Sequence, residues 1–317
     1  METFLNILSA ISLPLGIILL GFFVRRAGWF RSEADASLTT LTIRLLYPCF
    51  IVSSLTDHAT LRQPNLLLLV APSIGFLSIV AGFALSALVA RLGGLKTADR
   101  GSFIFAAGIF NYGFFAFPVG ETLFGEDFIG KLIVFNLGVE IAIWTVGVIV
   151  LVGGRPSWRR LINPPSISII CAGALTFLGG REAVPEYLFL IVDSLAACAI
   201  PLGLLLIGGS VSELWQERKP SDNLRPELCG VCTRLLIVPA IFLIVVAILP
   251  FEGQYKWIAE ALVVQAAMPA GIFAIVVVKS FDCDESIALR VILATLLGCM
   301  LTMPAWLAIG IKLLPRS

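Results

Sequence analysis

Asn111-Tyr112-Gly113-Phe114-Phe115-Ala116-Phe117-Pro118 interrupts an otherwise apolar run from about residue 99 to 123, and its reading decides the fold. The run is long enough to cross a ~30 Å hydrocarbon core, which takes roughly 20 residues of helix. Near its middle stand a side-chain amide, a glycine and a proline, a combination that breaks the helical hydrogen-bond ladder. Freed N–H and C=O groups cannot face lipid; they line a polar cavity or are capped by neighbouring helices. A second run, from about 255 to 279, carries Gln265-Ala266-Ala267-Met268-Pro269-Ala270 in the corresponding place. The first run ends at Leu123-Phe124-Gly125-Glu126-Asp127 and the second at Ser280-Phe281-Asp282-Cys283-Asp284. Either run alone reads equally well as an ordinary proline kink. As a matched pair they point to two broken helices around one cavity, whose half-helix N-termini carry partial positive charge and suit a carboxylate.

Working outward, the 317 residues are 58% hydrophobic and 14% charged, with a mean hydropathy of +0.98. A soluble domain needs about 25% charged residues to cover its surface. Apolar runs recur near 5–26, 34–56, 65–90, 99–123 and 127–152, then 165–180, 184–212, 226–249, 255–279 and 285–312. The expected fold is therefore an all-α polytopic membrane protein of about ten transmembrane helices. The first run follows Glu2, lacks a small-residue cleavage site and ends in Arg25 and Arg26, so it reads as a retained span rather than a signal peptide. A net charge of +1 gives no reason to expect a nucleic-acid partner, and the lipid bilayer is the implied surroundings.

Basic residues alternate between the loops. One set holds Arg25, Arg26 and Arg31, then Arg91, Lys96 and Arg100, then Arg155, Arg159 and Arg160, then Arg218, Lys219 and Arg225, and finally Lys279. The other holds Arg62, Lys131, Arg181, Lys256, Lys312 and Arg316. Because translocation of Lys and Arg is disfavoured, the first set is expected in the cytoplasm and both termini outside, in a plasma or inner membrane. An odd number of spans precedes the basic loop at Arg155, which makes residues 1–152 and 153–317 two inverted five-helix repeats.

These features together resemble the auxin efflux carrier family, which is related in fold to the bile acid sodium symporters. The resemblance covers nearly the whole chain. It is carried by Leu13-Pro14-Leu15-Gly16-Ile17-Ile18-Leu19-Leu20-Gly21 before paired arginines, by Leu45-Leu46-Tyr47-Pro48-Cys49, and by Asn111-Tyr112-Gly113 with Phe117-Pro118. It continues in Asn163-Pro164-Pro165, Pro201-Leu202-Gly203-Leu204-Leu205-Leu206-Ile207-Gly208 and Ala266-Ala267-Met268-Pro269-Ala270. The resemblance implies a scaffold of spans one, two, six and seven, a transport unit of spans three to five and eight to ten, and crossing broken helices four and nine. It also implies an auxin-like or other mono- or dicarboxylate substrate and an elevator-like movement. Two departures stand out. Only about a dozen residues join spans five and six, where the plant exporters have a long hydrophilic loop, and the residues before Gln265, Ala261-Leu262-Val263-Val264, lack the acid that the bile acid relatives use for sodium. Proton coupling is favoured over sodium, and no other cofactor is implied.

The candidate substrate-binding residues are Asn111, Tyr112, Gly113, Pro118, Gln265, Met268, Pro269 and Ala270. Ionisable groups inside spans are costly and are functional candidates by default. Glu140 lies deepest, with Asn136 one turn away on the same face, and the two are the coupling-ion candidates; the competing reading gives Glu140 a fixed partner in Arg234. Arg44 and Asp193 are read as a charge pair within the scaffold. Arg290 is near enough to an end to snorkel, and Glu121 and Glu260 sit near the outer interface.

Cys229-Gly-Val-Cys232 has the spacing of a redox pair or half a zinc site. With no second such pair and the only histidine at the distant His58, coincidence in an apolar helix is the better reading. No GxxxxGK[ST] loop, HExxH or GxSxG motif occurs, which argues against an ATP-driven pump and against an enzyme. The leading expectation is a secondary carrier of small organic anions, compatible with a homodimer; an ion channel or a transporter-derived sensor is the alternative.

Overall fold

The computed structural model describes residues 2–56, 66–152, 164–217, 223–281 and 283–314. His58, Arg62, Arg155, Arg159, Arg160, Asn163, Arg218, Lys219 and Arg316, used above, lie outside the described residues. Among the described residues the chain is predominantly helical, and its only β-type pairing is one isolated antiparallel bridge. In a hydrocarbon solvent a helix satisfies its backbone within one segment, so an apolar chain of this kind has little alternative.

The helices are α1 (Glu2–Arg26), α2 (Ser32–Thr56), α3 (Leu67–Leu92), α4 (Thr97–Gly108), α5 (Ala116–Phe124) and α6 (Asp127–Leu151). They continue with α7 (Pro164–Phe177), α8 (Glu186–Glu217), α9 (Arg225–Ile248), α10 (Lys256–Ala267), α11 (Phe273–Ser280) and α12 (Glu285–Leu313). Seven of them, α1, α2, α3, α6, α8, α9 and α12, are long and apolar enough to cross a membrane. The run expected near 165–180 is the shorter helix α7. The runs expected near 99–123 and 255–279 are each a pair of short helices, α4 with α5 and α10 with α11, separated by unwound residues.

Proline alone does not cause those two breaks. Pro14, Pro72, Pro201 and Pro304 ride inside continuous helices. In α2 and α9 a π-helical stretch, Thr42–Leu46 and Cys232–Ile237, precedes Pro48 and Pro239, and the widened turn accommodates a ring that lacks a donor. A third π stretch, Ile143–Gly147, follows Glu140 in α6 with no proline near it.

Packing is set by reciprocal small residues, which let helix backbones approach in the absence of a hydrophobic drive between helices. In α1 and α8, a Cβ at Gly21 would lie 2.3 Å from Leu205 O and one at Gly208 would lie 2.0 Å from Ile18 O. In α3 and α6, a Cβ at Gly75 would lie 2.2 Å from Phe135 O and one at Gly138 would lie 1.7 Å from Pro72 O. Around the first contact gather α2 and α7; around the second gather α4, α9 and α10, against which α12 packs while it also touches α1.

Three charge clusters pin helix ends. Arg25 pairs with Asp35 and Glu213 and lies over the Phe30 ring at 4.0 Å, tying α1, α2 and α8 together. Arg290 of α12 forks onto Glu227 of α9, both nitrogens at 2.7 Å, and also donates to Asn223 O. Asp193 of α8 takes Arg181 and, at 2.6 Å, the Ser53 hydroxyl of α2. This last cluster corrects the expected pairing of Asp193 with Arg44. Ser53 marks the level of Asp193 along α2, and Arg44 lies nine residues before it, about 13 Å away at helical rise, with an exposed side chain.

Candidate functional site

The two unwound segments meet. Asn111 N donates to Pro269 O at 2.9 Å and Gly271 N donates to Ile109 O at 2.8 Å, an antiparallel bridge between Phe110 and Ala270. Backbone groups freed by one break are thus satisfied by the other, which explains why both can persist in an apolar interior. Thr295 of α12 completes the closure, its hydroxyl oxygen accepting from Ala270 N at 3.2 Å.

A cavity of about 230 Å³ opens beside the crossing. Its floor is the stretch from Phe110 to Phe114 and the stretch from Gly271 to Phe273, the residues leading into the N-termini of α5 and α11. Glu140 and Trp144 of α6 form one wall, while Thr42, Tyr47, Gly203 and Ser210 face them from α2 and α8. The lining is mostly aromatic and aliphatic, with Glu140 its one ionisable acid.

Asn111 lines this cavity. Its Oδ1 accepts from Phe115 N at 3.3 Å, which caps the start of α5, and among the described residues its amide nitrogen has no hydrogen-bond partner. Tyr112 is held twice by α6: its hydroxyl donates to Glu140 Oε1 at 2.5 Å, and its carbonyl accepts from Asn136 Nδ2 at 2.8 Å. Trp144 Nε1 donates to the other Glu140 oxygen at 3.1 Å. Glu140 is 7% exposed, and among the described residues no cation pairs with it.

Gln265 is fully buried and stands behind the cavity rather than in it. Its Nε2 donates to Asn136 Oδ1 at 3.1 Å, so the amides of Gln265 and Asn136 form a relay that ends on the Tyr112 carbonyl. Asn111 and Gln265 therefore occupy different layers, contrary to the expectation of two equivalent amides at one anion. Of the other candidates, Gly113 lines the cavity, with Tyr47 Oη 3.1 Å from where a Cβ would stand, and Pro118 is buried in the first turn of α5. Met268 and Ala270 are buried within the crossing, and Pro269 contributes the carbonyl that Asn111 N meets.

Arg234 is not the partner of Glu140. Its guanidinium turns to the end of α10, donating to Gln265 O and Met268 O at 3.1 Å and to Ala266 O at 3.3 Å. Trp144 and Tyr47 were not singled out from the sequence. Trp144 stands four residues after Glu140 on the same face, the one signal that could have found it, and Tyr47 lies in the Leu45-Leu46-Tyr47-Pro48-Cys49 motif.

Comparison with known proteins gives the family. The family model described as "Membrane transport protein" matches residues 13–157 and 149–307. An uncharacterized transporter of Methanothermobacter thermautotrophicus is 24% identical over 294 residues, covering 92% of this chain and 94% of that protein. An uncharacterized transporter of Methanocaldococcus jannaschii is 22% identical over 313 residues, covering 94% and 97%. A chain of apolar membrane-crossing helices whose length is almost wholly matched in this way is an integral membrane protein that belongs to the membrane transport protein family, the auxin efflux carrier family that its sequence motifs resemble.

Proposed function

We propose that this protein is a secondary carrier of small organic anions, mono- or dicarboxylates, working by an elevator-like movement. The observation that carries this reading is the crossing itself. Two unwound segments bonded to each other bring the N-termini of α5 and α11 and the free amide of Asn111 to one cavity, where partial positive charge favours a carboxylate. The spans would be about ten, in inverted halves 1–152 and 153–317, with α4–α5 and α10–α11 as the broken fourth and ninth. A scaffold of α1, α2, α7 and α8 and a moving unit of the remaining helices are supported by the charge clusters. Arg25 and Asp193 bind within the first group and Arg290 within the second, so none of these three ties one group to the other.

Glu140 shares the cavity with the proposed anion, and two like charges in a dry site repel. Anion and proton would therefore enter together, Glu140 being neutral while the anion is bound; this favours proton coupling over sodium.

The test is a thermal-shift screen of purified protein against individual mono- and dicarboxylates, since a ligand that binds the folded state raises the unfolding temperature. A hit should show saturable counterflow in proteoliposomes, and Asn111→Ala should weaken its binding at least tenfold with expression retained. Binding without counterflow would favour a sensor. Unchanged affinity in Asn111→Ala would move the site away from the crossing.

A further inference from the structure

Arg234 has no exposed surface, yet it meets no carboxylate among the described residues. The buried acid of the same unit, Glu140, is engaged by Tyr112 and Trp144 instead. A charge buried in an apolar interior is costly unless something compensates it, and here the compensation is backbone oxygen. Helix α10 stops at Ala267, and Pro269 has no N–H to return, so the last carbonyls of α10 lose their partners four residues on, Gln265 O keeping only the Met268 N–H at 3.3 Å. These oxygens also carry the negative end of the helix dipole. Two of them, from Gln265 and Ala266, and the Met268 carbonyl just past the helix end converge on the guanidinium at 3.1 to 3.3 Å. Arg234 Nη1 and Gln265 Oε1 are buried without a hydrogen-bond partner among the described residues.

Converging backbone carbonyls are the ligand set with which proteins replace the hydration shell of a monovalent cation. We propose that the broken end of α10 is a cation site and that Arg234 is its ion, a guanidinium tethered through α9 in the place a free monovalent cation would take. The π-helical stretch Cys232–Ile237 carries Arg234, and the widened turn is what aims the side chain at the break. The charge lies over the Phe110 ring, 5.3 Å from its centroid, and Phe110 is one of the residues that line the cavity. The crossing thereby holds a standing positive charge with no metal ion bound, whichever anion the cavity takes.

A vacated cation site should accept a cation from solution. In purified Arg234→Ala the unfolding temperature should fall, and low-millimolar guanidinium chloride should restore much of it along a saturable curve; urea at matched concentration should not. Isothermal titration should find one guanidinium site in Arg234→Ala and none in the wild type. A rise that does not saturate, or that urea reproduces, would overturn the proposal. Arg234→Met, which fills the volume without the charge, and Arg234→Lys, which keeps the charge, decide the matter if Arg234→Ala cannot be purified. Retained folding in Arg234→Lys with loss in Arg234→Met supports a cation site, whereas Arg234→Met as stable as the wild type, or no more harmed than Arg234→Lys, refutes it.

Discussion

Glu140 and Asp193 are both acids within apolar runs, and their surroundings assign them opposite work. Asp193 is about one-third exposed and held by Arg181 and Ser53, an ion pair fastening the start of α8 to α2. Solvent screening limits what such a pair contributes, so the Arg181→Gln, Asp193→Asn double-mutant cycle should give a coupling of about 0.5–1 kcal/mol in thermal unfolding. The same cycle with Arg44→Gln should be additive. Glu140 accepts hydrogen bonds from two neutral donors in the cavity and, among the described residues, has no cation to hold it ionised. Glu140→Gln should therefore preserve the fold and carboxylate binding while abolishing the response of net transport to an imposed pH gradient. A stable Glu140→Gln carrier with the wild-type proton response would remove this residue from the coupling step.

Among the helices, the broken pairs matter only because rigid neighbours hold them. Helix α6 supplies Asn136, Glu140 and Trp144 to the crossing, and α6 is seated on α3 through Gly75 and Gly138. A side chain at Gly138 would meet the Pro72 carbonyl at 1.7 Å, and a backbone atom cannot swing aside as a side-chain tip can. Gly138→Leu should cost about 1–3 kcal/mol of stability by overpacking. Because α6 would shift, carboxylate affinity should fall with it. Gly16→Leu is the control, since nothing stands within 4 Å of a Cβ at that position. Thermal unfolding in detergent together with ligand titration reads both effects, and equal behaviour of the two variants would show that the α3–α6 contact does not position the site.

For the whole molecule, the basic loops that lie within the described residues gather at one end. Arg25 reaches Glu213, Arg225 Nη1 lies 3.5 Å from where a Cβ at Gly94 would stand, Arg290 reaches Asn223 and Glu227, and Cys283 shares a surface groove with Thr97 and Leu151. With that end in the cytoplasm, Cys283 should react with an impermeant thiol reagent only from the cytoplasmic side. A cysteine replacing Glu126, at the start of α6, should react only from outside. Labelling of both from the same side would overturn the inverted arrangement of the halves.

What the sequence determined by itself was whatever depends on the solvent and on local chain chemistry. A mean hydropathy of +0.98 dictates helices in lipid, and an amide and small residues near a proline in two matched runs mark where the ladder breaks. The alternating charge of the loops sorts them into two sets, because that pattern is written one loop at a time. Which buried polar groups meet was decided only by the tertiary structure. Arg234 could pair with Glu140 on sequence grounds, yet it binds the end of α10; Asp193 takes Arg181 rather than Arg44; Gln265 supports Asn136 from behind while Asn111 faces the cavity. Helix rise, the rotation added by π turns and the depth at which glycines let helices cross set those partnerships. Each is a relation between segments distant along the chain, which no local pattern specifies.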